Sequence, residues 1–159
     1  MIIASDNEEE EMAIEKRVLV VDDDDAIRAL LCTILRRRGL PVDSARNGAE
    51  ALARCEQCRY AVVLLDLMMP QVNGYEVLNA FGKRKREDRP LILVLTAGAE
   101  PRNLSAELVA GTIRKPFDVE MIVDTISAAL TTLANREQLE ECPPADSDMD
   151  GCGFNPRVN

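Results

Sequence analysis

The stretch VVLLDLMMP, residues 62–70, decides how this chain folds. With Ala61 before it, Val62–Leu65 forms a short apolar run that reads as a strand buried on both faces. The run ends in a carboxylate, Asp66, and the chain then passes through Leu67, Met68, Met69 and Pro70. A charge at the end of a buried strand lies where a sheet opens to solvent while burial is still partial. Such a position needs a reason, and the rest of the sequence supplies it.

Working outward, the same pattern recurs. Val18–Val21 is a β-branched strand that stops abruptly at Asp22-Asp23-Asp24-Asp25. Ile27, Leu30, Leu31, Ile34 and Leu35 then repeat at helical spacing, with Arg36–Arg38 in the last turn and Gly39 as the stop. Pro41–Arg46 reads as a second strand, and Asn47-Gly48 turns into a helix over Ala49–Cys55. Ala61–Leu65 is the third strand, followed by a helix from Tyr75 to Phe81 and the charged stretch Gly82–Arg89. Leu91–Leu95 and the short Thr112–Arg114 are the fourth and fifth strands, and Asp118 caps a last helix ending at Ala134. Strands alternating with helices over short connections predict an α/β fold, a doubly wound parallel sheet with helices on both faces. Right-handed crossovers bring every strand's carboxyl end to one edge, where ligands bind. Asp22-Asp23, Asp66, Thr96 and Arg114-Lys115 all fall there. Four separate segments therefore point to a single site.

Composition narrows the chemistry. Apolar residues make up 47% of the 159-residue chain, but aromatic residues only 3%. A core of Leu, Val, Ile and Ala fits packed helices and parallel strands, not a platform for stacking bases. The net charge of −9 lies mostly in the ends. Residues 1–16 and 135–159 are accordingly expected to be acidic, disordered extensions flanking one domain over 17–134. No apolar run is long enough for a membrane span, and the expected location is cytoplasmic. Lys83-Arg84-Lys85-Arg86 is followed at once by Glu87-Asp88 and reads as a solvated loop, so no direct nucleic-acid partner is expected. Cys55-Glu56-Gln57-Cys58 is a CxxC, yet the chain has no His to complete a zinc site. Reduced thiols are the simpler reading.

Converging carboxylates cannot all stay ionised without a cation. With oxygen donors only, that cation is a hard ion, Mg²⁺ in particular. Lys115 adds a compact positive charge and Thr96 a hydroxyl, which together suit the oxygens of a tetrahedral anion. Acids for a metal, a hydroxyl, a lysine and one more carboxylate make a phosphoryl-transfer centre with Asp66 as nucleophile.

Through VLVVDDD, LLDLMMPQVNGYEVL, LVLTA and RKPFD, in order and well spaced, the chain resembles the receiver domain of two-component response regulators. The resemblance implies the flavodoxin-like strand order 2-1-3-4-5 and phosphoryl transfer to Asp66 from a sensor histidine kinase or phosphotransfer protein. It makes Asp22 and Asp23 the pair that positions Mg²⁺, with Asp66 and the backbone carbonyl of Met68 as further ligands. It also makes Thr96 and Lys115 partners of the acyl phosphate and Lys115–Pro116 a cis bond, with Pro70 and Gly74 shaping the loop after Asp66. The expected role is a stand-alone receiver that docks to a downstream protein when phosphorylated, a phosphoacceptor and not an enzyme. A small-molecule phosphohydrolase needs an acid/base two residues after the nucleophile, where this chain has Met68. A receiver-like scaffold that binds without phosphorylation is the alternative.

Three features depart from the family pattern. Thr112 stands where a switch aromatic is usual. The segment from Thr96 to Lys115 is short by about one helical turn, so the fourth helix, already burdened by Gly98 and Pro101, is expected to be stunted. Met68 and Gly98, each two residues beyond a site residue, cannot orient an attacking water, which implies slow loss of the phosphoryl group.

Overall fold

The computed structural model describes residues 17–69, 72–98, 101 and 103–141. Five strands, β1 Val18–Val21, β2 Val42–Ala45, β3 Val62–Asp66, β4 Leu91–Thr96 and β5 Val109–Arg114, form one sheet in the order β2-β1-β3-β4-β5. Every neighbouring pair is parallel. Among the described residues the helices are α1 Asp25–Arg37, α2 Gly48–Gln57, α3 Gly74–Gly82 and α4 Val119–Glu141, with a 3₁₀ turn at Arg86–Asp88. None of the described helices is long and apolar enough to cross a membrane.

Alternation along each strand divides the core in two. Val18, Val20, Val62, Leu64, Leu93 and Leu95 face α1 and α4, meeting Leu31, Leu35, Ile122 and Ile126. Leu19, Val21, Val63, Leu65, Ile92 and Val94 face α2 and α3, meeting Ala51, Val77 and Phe81. The inner strands β1 and β3 are buried throughout, which is why their sequences run apolar without a break. Edge strand β5 alternates between half-buried and exposed residues.

The helix starts follow from single side chains. Asp24, Asn47 and Asn73 each accept a hydrogen bond from a free N–H of the first turn. Gly39 ends α1 at a φ of +78°.

Several expectations are corrected. Between β4 and β5 the described residues contain no helix at all, only turns. Leu104 and Val109 pack against the α2–α3 side of the core there. Strand β5 begins at Val109 rather than Thr112, because a register shift at Ile92/Leu93 lets it pair further back along β4. Helix α4 continues past Ala134 to Glu141, so residues 135–141 are helical rather than tail. That stretch is made of helix formers, and the first proline is Pro143. The remainder of both acidic extensions lies outside the described residues. In α1 the buried positions are Leu31, Cys32 and Leu35, while Leu30 is 48% exposed.

Gly74 opens α3 directly against the end of β3. A Cβ there would lie 2.6 Å from both the Asp66 carbonyl oxygen and the Leu67 Cα, backbone atoms that cannot step aside. Gly39, in contrast, has open space around it. Gly74→Ala is therefore expected to lose about 2–3 kcal/mol by overpacking, and Gly39→Ala only about 1 kcal/mol from its left-handed backbone. Urea denaturation of the two variants measures both, and equal losses would contradict the close contact at Gly74.

Candidate functional site

Register builds the site. Val21 of β1 pairs with Leu65 of β3, so Asp22 and Asp66 are the next residues on two adjacent strands. Asp22 is fully buried and Asp66 is 3% exposed. On the other side of β3, Asp66 pairs with Leu95 and Thr96 pairs with Arg114, which brings Lys115 to the same edge. The Lys115 N–H donates to the Thr96 carbonyl at 2.7 Å, and the following Lys115–Pro116 bond is cis.

Lys115 joins the two carboxylates. Its Nζ donates to Asp22 Oδ2 at 3.0 Å and to Asp66 Oδ2 at 3.3 Å. Each acid also receives one backbone N–H on its other oxygen: Asp24 N to Asp22 Oδ1 and Met68 N to Asp66 Oδ1, both at 2.9 Å. Asp23 is exposed, and one carboxylate oxygen from each of Asp22, Asp23 and Asp66 falls in a group spanning no more than 4.8 Å.

The charges are not balanced. Burial raises the Asp66 carboxyl above its ordinary value; the Met68 N–H opposes this, the Asp22 charge adds to it, and Lys115 offsets only part. For Lys115, burial works to lower the ammonium, but its bonds and attraction to Asp22 and Asp66 prevail, and its pKa is raised. Three carboxylates around one ammonium leave room for a cation. All donors are oxygen, two of the three acids are buried, and the third opens to solvent, a donor set that fits Mg²⁺ with water completing its shell.

Asp24 and Asp25 take no part. Asp24 caps α1, and Asp25 pairs with Arg28. Thr96 is buried at the end of β4, at 6% exposure, but its hydroxyl makes no hydrogen bond to the cluster. The Met68 side chain is 68% exposed and Met69 is packed in the core; Pro70 lies outside the described residues. Sequence reading missed Arg28, whose Nη1 donates to the Asp22 carbonyl at 2.8 Å and pins the turn from β1 into α1. The one signal for it was an arginine three residues after Asp25, which reads equally well as a helix-surface pair. Cys55 and Cys58 are free thiols, and burial pushes Cys55 up to about 11, far from a reactive thiolate.

Comparison with known proteins gives this geometry a family. Residues 18–127 match the response regulator receiver domain. The chain belongs to that family. The receiver is 40% identical over 107 residues to the transcriptional regulatory protein ResD of Bacillus subtilis, covering 65% of this chain and 43% of ResD. It is 37% identical over 108 residues to a CpxR homolog of Haemophilus influenzae, covering 67% of this chain and 46% of that protein. The receiver thus spans less than half the length of these curated relatives. Among solved structures, a CheY-like receiver from Methanospirillum hungatei aligns at a TM-score of 0.68 and 30% identity, covering 76% of this chain and 98% of that one. The response regulator TrrA of Thermotoga maritima, crystallised with Mg²⁺-BeF, aligns at 0.63 and 35% identity, covering 72% and 98%. The strand order 2-1-3-4-5 is the one expected. ResD and the CpxR homolog are named as transcriptional regulators, which stands against carrying the expectation of no nucleic-acid contact beyond this domain.

Buried repulsion in the metal-free receiver has a measurable consequence. Because the folded pKa of Asp66 lies above its ordinary 3.8, this group favours the folded state most at low pH, and the benefit is lost as pH rises through that region. At neutral pH in EDTA, Asp66→Asn is therefore expected to melt a few degrees above wild type. Mg²⁺ should raise the melting temperature of wild type and have less effect on the variant. A lower melting temperature for Asp66→Asn in EDTA would contradict the charge imbalance.

Proposed function

We propose that this receiver accepts a phosphoryl group on Asp66 from a histidine kinase or phosphotransfer protein, with Mg²⁺, and signals by docking to another protein. The observation that carries the reading is the Lys115 ammonium bridging two buried carboxylates at 3.0 and 3.3 Å. Asp22, Asp23, Asp66 and the Met68 carbonyl would hold the metal, which when bound supplies positive charge against the phosphoryl oxygens.

An Asp66 oxygen forms the new P–O bond while the donor's P–N bond breaks and its ring takes up a proton from solvent, leaving an acyl phosphate on the protein and a free imidazole on the donor. Rigid placement at the end of β3 keeps that oxygen within reach of the donor. The added charge draws Lys115 toward the phosphoryl oxygens and away from its shared position between Asp22 and Asp66. The Thr96 hydroxyl, with no partner in the cluster, is free to donate to the same group. With Thr112 exposed on β5 and no rotating aromatic in its place, the change passes outward through the backbone of the β4–β5 connection. That connection lacks a helix among the described residues, so the docking face differs from one built on a helix.

We read the protein as a phosphoacceptor without turnover on external substrates. The position two residues after Asp66 holds Met68, which has no proton to give or take. For the same reason the acyl phosphate should be long-lived. The second reading, a scaffold indifferent to phosphorylation, is favoured by Thr112 and by the lack of a helix between β4 and β5 among the described residues.

Incubation with acetyl phosphate and Mg²⁺, followed over time by intact mass, separates the readings. Wild type should gain one phosphoryl mass and keep it for minutes, while Asp66→Asn gains none. Equal labelling of the two proteins would remove Asp66 from its role, and decay within seconds would overturn the slow-loss reading.

A further inference from the structure

The opposite edge of the sheet carries a second, unrelated feature. A groove of about 970 Å³ lies at the amino ends of β3 and β4. Its floor is apolar, formed by Phe81, Leu91, Leu130 and Leu133, and its rim is basic. Six bases line it against two acids, Glu87 and Asp88. Among the described residues only one of the six, Arg59, is in an ion pair, with Asp88.

The rim is built rather than loose. Arg89 donates from Nε to the Arg84 carbonyl at 2.9 Å and from Nη2 to the Gly82 carbonyl at 2.8 Å. Arg84 reaches the Cys55 carbonyl at 3.3 Å and lies 5.2 Å from the centre of the Phe81 ring. Carbonyls and a ring satisfy hydrogen bonding without cancelling charge. Arg84 and Arg89 are therefore held in place, and within the run Lys83-Arg84-Lys85-Arg86 no side chain is in an ion pair among the described residues, with Lys83, Lys85 and Arg86 exposed.

The chain enters the sheet beside this groove. Arg17 accepts a backbone hydrogen bond at 2.9 Å from Ala61, one of the groove's own residues. Upstream of Arg17 come Ile14 and Met12, then Glu11 six residues and Glu8 nine residues before it. At about 3.3–3.6 Å per extended residue, six to nine residues reach about 20–30 Å. Past the charged pair Glu15-Lys16, the apolar Met12–Ile14 and then the four consecutive acids Glu8–Glu11 mirror an apolar floor beside four consecutive bases.

We propose that the N-terminal segment of this same chain occupies the groove, with Met12 and Ile14 over the floor and Glu8–Glu11 against Lys83–Arg86. Tethering places those acids at an effective concentration on the order of millimolar, enough to hold several weak surface pairs and to shield the rim from other polyanions.

Carbodiimide cross-linking of the full chain tests this, since it joins carboxylates to lysines in direct contact and the chain has only Lys16, Lys83, Lys85 and Lys115. The expected product links the peptide holding Glu8–Glu11 to Lys83 or Lys85. In an equal mixture of ¹⁴N and ¹⁵N protein it should carry one isotope only. Its yield should fall several-fold in 0.5 M salt, where screening shortens to about 4 Å, and several-fold in Arg86→Glu. Three results would overturn the proposal. One is the absence of that link, and another is a link from Lys83 or Lys85 to Asp146, Asp148 or Asp150 in its place. The third is a mixed-isotope product, which would give the groove to the arm of a second copy.

Discussion

Two buried carboxylates sharing one ammonium form the constraint on which the structure turns. Asp22 and Asp66 sit almost wholly out of solvent on adjacent strands, and Lys115 reaches both. Breaking such a buried group apart leaves an uncompensated charge, which is strongly unfavourable. The sheet must therefore keep β1, β3 and β5 in one register for Lys115 to stay in place. Asp23 at the solvent side adds a further negative charge, so three carboxylates face one ammonium and the set can take a cation.

Everything near the cluster serves that placement. Arg28 holds the turn after β1 through the Asp22 carbonyl, and the Asp24 cap starts α1 at once, which turns the remaining acids away. Gly74 lets α3 start against the Asp66 backbone, so the loop carrying Met68 leaves the site sharply. The two faces of the core, one under α1 and α4 and the other under α2 and α3, clamp β1 and β3 from both sides.

Much of this was legible in the sequence because it is written in strand ends. Unbroken apolar runs at Val18–Val21, Val62–Leu65 and Leu91–Leu95 mark central parallel strands, and the polar residue closing each one falls on a shared edge. What was hidden depends on tertiary contacts without a local pattern. Leu30 follows the helical apolar spacing yet stays exposed, while Cys32 beside it is buried. Strand β5, exposed at alternate residues and holding Gly111, has no apolar run to announce where it starts. The basic stretch Lys83–Arg86 is exposed at Lys83, Lys85 and Arg86, as a solvated loop should be, but the arginine-to-carbonyl bonds that hold Arg84 and Arg89 join residues whose partners no periodicity names. Arg28 was missed because its contact is with a backbone oxygen, which the sequence does not label.

The most direct measurement is a crystal structure of this chain grown with Mg²⁺ and beryllofluoride, which mimics a phosphoryl group on a carboxylate. The expected result is the beryllium bonded to an Asp66 oxygen, the metal held by Asp22, Asp23 and Asp66, and the Lys115 ammonium moved onto the fluorides with the Thr96 hydroxyl beside them. Beryllofluoride on another carboxylate, or a metal seated away from Asp22 and Asp23, would contradict the account.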